Sequence, residues 1–459
     1  MLRYKSIYLP VLFLFFSISI FFIFLSSSVN ATNHYVDKNA DGNNNGTSWG
    51  NAWESFSDIE WNQIQPGDTL FISGGSDSTV YNEQLNVSAS GTALNLITIR
   101  AGLDAGHNGR VILDGEGSVG HGVSIDKYDY IRIVELEFKR HIGRGSIFIN
   151  GRSYDEAQVA NCIYIDSCKI TEIQGHAGIF IGGYPADSHS GCDSIFIRYN
   201  TIIAGQSSSQ TDCIYAQRSE NIFIDHNTLI EDNEVSTSHC DGIQFVWIKN
   251  ATVSNNYLYV STNELDRPNQ GMMFEHLAGE IVVYNNVVYA PNYYSYHNNI
   301  IDKDYHHEHS WTFISNTVYG GSNYNLVNLN SPNITCKNNI FYNSATPRGG
   351  SVRYVQTPYD WSLTDGNLYG TYQVVTIGGR TMTEINILGG ERTGRSASKY
   401  LVNPKFVRTG PYGSEDLAVK SNSPCINAGV DLPPPYDVDI NGVIRPQGKF
   451  TIGAYQYEP

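Results

Sequence analysis

Two aspartates and a histidine are the residues whose types and spacing best suit chemistry. Asp212 opens the segment DCIYA and Asp241 opens DGIQF one repeat later, with His239 just before the second. If the repeats stack, the carboxylates lie about 5 Å apart, where they repel unless they share a proton or a cation. They are then either a calcium site or an acid/base pair. The plainer alternative is that each caps a turn by accepting backbone N–H groups. In HCDGIQ (239–244), Asp241, His239 and Gln244 would cluster on one face.

Other candidates surround this trio. Arg267-Pro268 falls in the turn before Met272, near enough to neutralise a substrate carboxylate, and Arg267 or His239 would abstract a proton. Glu275 aligns with Lys303 one coil on. They read as a cross-coil ion pair on the rim, worth under about 1 kcal/mol, with Lys303 also a cationic candidate for the catalytic set. Tyr215, Gln244, Arg218, His176 and Glu275 are expected to contact substrate, and Tyr293, Tyr294 and Tyr296 could stack on sugar rings. Tyr305-His306-His307-Glu308-His309 lacks zinc-like spacing and reads as a solvated loop.

These residues need a scaffold, and the repeats define it. IFIRYNTII (195–203), IFIDHNTLI (222–230), ATVSNNYLY (251–259), IVVYNNVVY (281–289) and WTFISNTVY (311–319) start 27, 29, 30 and 30 residues apart. Looser copies are IRIVELEFK (131–139), IYIDSCKIT (163–171) and NITCKNNIF (333–341). Position six reads Leu136, Cys168, Asn200, Asn227, Asn256, Asn286, Asn316 and Asn338. Short β-branched runs with Gly and Asn punctuation exclude a helical solenoid, and the units are too short for propeller blades of about 40–45 residues. The expected fold is all-β, a right-handed parallel β-helix. Its asparagines would take the left-handed bend between strands and stack from coil to coil. Before each repeated segment lies another strand, whose outward residues form the column Phe180, Tyr215, Gln244, Met273 and Ile301. Asn325-Leu-Val-Asn is aligned as the next coil.

The ends read differently. Residues 1–31 carry Arg3 and Lys5, an apolar run from Ile7 to Leu25 and small residues at Val29-Asn30-Ala31, and read as a cleavable export signal, with an uncleaved membrane anchor as the alternative. Residues 32–120 form an N-terminal cap and first coils, in which Trp49, Trp53, Phe56, Trp61 and Ile64 fall at helical spacing and predict an amphipathic capping helix. Residues 121–345 are the β-helix core, and 346–459 supply the last coils and a C-terminal cap. Two calcium-like runs, from Asp37 and from Asp437, lack a carboxylate at position twelve (Ser48 and Gly448) and read as polar turns. A net charge of −16 argues against nucleic acid and requires local cations for any acidic ligand. Seven cysteines show neither metal-like nor disulfide-like spacing. The secreted protein is expected to be a monomer.

The chain resembles the pectin-lyase-like superfamily of secreted bacterial β-helix proteins over most of 33–345, through YVDKNADGNNNGTSWGNAW, PGDTLFISGG and the Asn ladder. Its tail, SPCINAG with DINGVIRP and IGAYQY, is similar to that of many secreted β-helix proteins of undetermined activity. Residues 212–256 resemble the calcium-dependent pectate lyase core in DCIY, NIFIDHNTL and DGIQFVWIKNATVSNN. The resemblance implies Ca2+ on Asp212 and Asp241, with Asp225-His226 as a structural pair. This sequence departs from that pattern at Phe245, where the family has a further acidic ligand, and in lacking the R-x-P-x-x-R base segment. Polygalacturonase-type hydrolases match less well, since Gly120-His121-Gly122 precedes the aspartates and no Asp-Asp pair occurs. The implied function is an exported polysaccharide lyase on an acidic glycan, with an Asp-pair hydrolase or a non-catalytic glycan-binding protein as alternatives.

Overall fold

The computed structural model describes residues 31–459 apart from 152–158, 183–190, 206, 208–209, 233–237, 262–268, 291–299, 304–307, 321–326, 332, 344–351, 355–363, 370–374, 378–398, 401–402 and 411–415. The export signal (1–31), Tyr293, Tyr294, Tyr296, Tyr305, His306, His307 and Arg267 therefore fall outside the described residues, except for Ala31. Among the described residues no helix is long and apolar enough to cross a membrane.

Parallel strands wind into a right-handed solenoid with three faces per coil. The strand Asp212–Asp225 shows how one coil is built. Its first half lies on face one, the left-handed residues Arg218 (φ 50°) and Asn221 (φ 54°) turn the chain onto face two, and His226 (φ 54°) turns it onto Thr228–Glu231 of face three. Asp241–Ser254 and Gln270–Tyr284 repeat the path in register. Alternate side chains point inward and stack in columns, as in Ile179, Ile214, Ile243, Met272 and Ile300, all fully buried.

The asparagine ladder is present, and it carries the coil register. The Oδ1 of Asn256 accepts from the Asn227 backbone N–H (2.8 Å) and Nδ2 (3.0 Å). Its own Nδ2 donates to the Ile224 carbonyl at 2.9 Å and to Asn286 Oδ1 at 2.9 Å. Two details correct the sequence reading. The left-handed bend belongs to the residue before each ladder position, at Tyr199, His226, Asn255, Asn285 and Ser315, so the ladder asparagine is freed for stacking. The ladder also continues through Asn339 and Asn367, while Asn338 (φ 57°) is the bend residue. A similar slip affects face one: Ile301 pairs with Asn328, so Val327 points inward and Asn328 takes the outward column position. Hydrophobic alternation does not distinguish Asn338 from Asn339, which are both polar, whereas Val327-Asn328-Leu329 alternates as the structure has it.

The N-terminal capping helix is not observed. Trp49–Asn51, Phe56–Asp58 and Trp61–Gln63 are single 3-10 turns separated by extended residues such as Ala52 (ψ 154°) and Ile59 (ψ 117°). Trp53 instead leaves any helical path to bridge Val36. Gly, Ser, Asn and Asp between the aromatics favour turns over a helix, and short turns still bring Trp53, Phe56 and Ile64 into the core. Both calcium-like runs are polar turns: Asp37 accepts from Asn39 N–H, and Asp439 from Asn441 and Val443 N–H. All seven cysteines are free thiols.

The C-terminal segment packs along the side of the helix. Phe406–Arg408 and Asp416–Val419 pair as an antiparallel hairpin against the outward tyrosines of face three, Tyr259, Tyr289, Tyr319 and Tyr342. Farther on, the buried Arg445 donates to Asn285 Oδ1 and to the carbonyls of Thr451, Gly453 and Ala454.

Asn256→Ala would strand the buried Asn227 N–H and remove two donated bonds. At about 1–3 kcal/mol per stranded group, the loss should be roughly 3 kcal/mol. Urea-unfolding midpoints check this against Lys249→Ala, which breaks only a surface pair with Glu220 (3.2 Å) and should cost under about 1 kcal/mol. Equal losses would show that the ladder does not hold the coils.

Candidate active site on face one

Register brings Asp212 directly beneath Asp241, as expected, and buries both completely. Asp212 Oδ1 accepts the Asp241 backbone N–H at 2.8 Å, and Asp241 Oδ1 accepts the Gln270 N–H at 3.2 Å. Each carboxylate therefore holds the coil above it, which is the capping role. The outer oxygens do something else. Asp212 Oδ2 takes Gln210 Nε2 at 3.0 Å, with His176 Nε2 at 3.9 Å. Asp241 Oδ2 lies 3.1 Å from His239 Nδ1.

The imidazoles, unlike the carboxylates, reach solvent: the His239 side chain is 29% exposed and that of Asp241 is 0%. With Asp241 ionised, Nδ1 must carry the hydrogen, and Nε2 is the nitrogen left to meet a ligand. The hydrogen bond that His239 donates to Asp241 raises the His239 pKa, opposed by burial and by the positive charge of Lys303. Burial raises Asp241, against the lowering effects of His239 and Lys303. Burial and the charge of Asp241 push the Asp212 carboxyl well above the usual carboxylate range. Burial, then Arg144 and His239, brings His176 down to about 4.

The expected outward column is assembled: Phe180 pairs with Tyr215, Tyr215 with Gln244, Gln244 with Met273 and Met273 with Ile301. Phe180 and Tyr215 stack at 5.0 Å, with the His176 ring edge-on to Tyr215 at 4.7 Å. Burial and the nearby Asp212 raise the Tyr215 phenol to about 12. Gln244 Oε1 accepts from Gln210 Nε2 at 2.7 Å. Lys303 Nζ sits 3.5 Å from Glu275 Oε1 and 3.1 Å from Met273 Sδ, so the rim ion pair is formed. Arg218 occupies the bend after face one and reaches Gln217 Oε1 at 3.1 Å. Asp225 and His226 pair at 2.7 Å on the bend between faces two and three, away from this site. His309 is buried against Asp302 (3.0 Å), inside the coil. Gln210 and Arg144 were not anticipated. Gln210 lies in a polar run without repeat spacing, and Arg144 joins only because its guanidinium covers Phe180 (5.4 Å).

Calcium does not fit these side chains. It takes six to eight oxygen ligands, whereas the outer oxygens here face amide and imidazole groups. Among the described residues no group of three His, Cys, Asp or Glu side chains converges as a metal site.

The three-faced coil with its stacked asparagines is a parallel β-helix. No protein-family model and no curated protein sequence matches the chain. Among solved structures it is similar to XylC in complex with xylose, at 11% identity and a TM-score of 0.47 over 93% of this chain and 98% of that one. It is similar to pectate lyase Pel9A at 13% identity and 0.45 over 94% and 98%. A lacto-N-biosidase from Eubacterium ramulus aligns at 11% identity and 0.38 over 63% of this chain, and the match spans 64% of that protein's length. These likenesses concern the fold.

NMR titration checks the electrostatics of the site. His239 should titrate above the ordinary 6.5 and fall in Asp241→Asn, while His176 stays neutral down to about pH 4. An unmoved His239 in the variant would break the Asp–His assignment.

Proposed function

We propose that the chain is an exported carbohydrate-active enzyme that cleaves a uronate-containing glycan by β-elimination, with His239 as the base. The observation supporting this reading is the 3.1 Å bond from His239 Nδ1 to the buried Asp241. A fixed carboxylate holds the tautomer and leaves a partly exposed Nε2 of raised basicity on an aromatic-lined face. His239 Nε2 takes the proton α to the uronate carboxylate at C5. The C–H electrons form the C4=C5 double bond, and the C4–O bond breaks. Tyr215, held as a phenol by its pKa of about 12, is the donor for the leaving oxygen. Lys303, which acts electrostatically on both His239 and Asp241, supplies positive charge for the substrate carboxylate. The Asp pair positions the site and does not itself reach the sugar, which disfavours a hydrolase built on those two carboxylates. Export is the reading of the charged and apolar start of the sequence.

The test incubates the protein with a panel of soluble uronates and follows absorbance of the unsaturated product. Absorbance should rise, and His239→Ala should lower the rate about 10²–10⁴-fold. Reducing ends without absorbance would make the protein a hydrolase, and binding without either product would make it a glycan-binding protein. The base must be neutral, so activity rises with pH through the raised His239 pKa. Asp241→Asn lowers that pKa and should move the acidic limb of kcat/KM to lower pH, with a reduced plateau. A limb that stays in place would remove His239 from the base role.

A further inference from the structure

A second site lies on another face of the coil, where the C-terminal hairpin meets face three. A cavity of about 370 Å³ opens there, lined by Tyr319, Tyr342, Phe406, Lys405, Lys420 and the amides of Asn403 and Asn422 among others. That volume falls within the roughly 300–1,000 Å³ of small-ligand sites. Tyr319 and Tyr342 come from successive coils in register. Their rings stack at 5.8 Å, and Phe406 stands edge-on to both, at 5.9 and 6.1 Å. The result is an aromatic corner that a sugar ring can pack against. Asn403 Nδ2 donates to the Tyr342 hydroxyl at 3.3 Å, and burial with the neighbouring Tyr319 raises the Tyr342 pKa, so that hydroxyl remains a donor.

The charge around this corner is unusual for the molecule. The chain has 45 acidic against 29 basic side chains, yet the cavity is lined by two lysines and no carboxylate. Lys405 Nζ is tied to the Asn422 carbonyl at 3.0 Å, while Lys420 is exposed. Amides for hydroxyls, aromatic walls for a ring face and ammonium groups for a carboxylate together suit one ligand class. We propose that this cavity is a second, non-catalytic site for an acidic glycan, holding the polymer on face three while face one remains free. The proposal shares its substrate class with the lyase reading but none of its residues.

Electrophoresis of the native protein through gels cast with polygalacturonate, alginate or neutral glucan tests it. Wild type should be retarded by at least one uronate gel and not by the glucan. Lys420→Glu should weaken retardation about tenfold in apparent affinity, leaving turnover of soluble oligouronates unchanged. Lys249→Glu, on an exposed part of face two, makes the same change in net charge and should retain binding, and circular dichroism confirms both variants fold. Retardation equal to wild type in Lys420→Glu, equal loss in Lys249→Glu, equal retardation in glucan, or no retardation in any gel would each overturn the proposal. A protein without lyase product but with Lys420-dependent retardation would sink the catalytic reading and keep this one.

Discussion

The stacked amides on the bend before face three are the interaction on which the rest depends. A parallel coil has no turn linking it directly to its neighbour, so register must be set by contacts between coils. Each ladder asparagine's oxygen fixes both the backbone and the amide of the preceding coil. One residue earlier, a left-handed backbone supplies the corner. Once the coils are in register, every outward column follows, including the stacking of Phe180 on Tyr215 and of Asp212 beneath Asp241.

Burial then divides the labour at face one. A carboxylate removed from water costs several kcal/mol unless hydrogen-bonded. Asp212 and Asp241 meet that cost by accepting backbone N–H groups of the following coil. Their remaining oxygens point at side chains that do reach solvent. The pair thus acts through its neighbours: Asp241 orients His239, and Asp212 holds the Gln210 amide.

The C-terminal segment adds a second wall. Arg445 is buried among carbonyl acceptors, and burial lowers its pKa to about 10, still far above neutrality. Its contact with Asn285 joins the tail to a bend residue of the coil. Together with the hairpin against Tyr319 and Tyr342, this converts an exposed tyrosine column into a partly enclosed cavity.

The sequence by itself determined the solenoid, the ladder through Asn316, the outward column and the pairing of Asp212 with Asp241. Each follows from a repeat of nearly constant length acting on a period-two strand. Sequence also suggested Glu275–Lys303, because alignment across coils is enough to place an ion pair. It did not separate Asn338 from Asn339, where two adjacent asparagines satisfy the pattern equally well; at Val327-Asn328-Leu329 the alternation does mark Asn328 as outward, and alignment with Asn299-Ile-Ile-Asp obscures it. The helical spacing of Trp49, Trp53 and Phe56 misled, since 3-10 turns can present the same side chains. Only the tertiary structure decided which site group meets solvent, because exposure depends on the coils above and below. It also decided that the tail lies beside face three, since the contact from Arg445 to Asn285 joins residues too distant in sequence for any repeat to register.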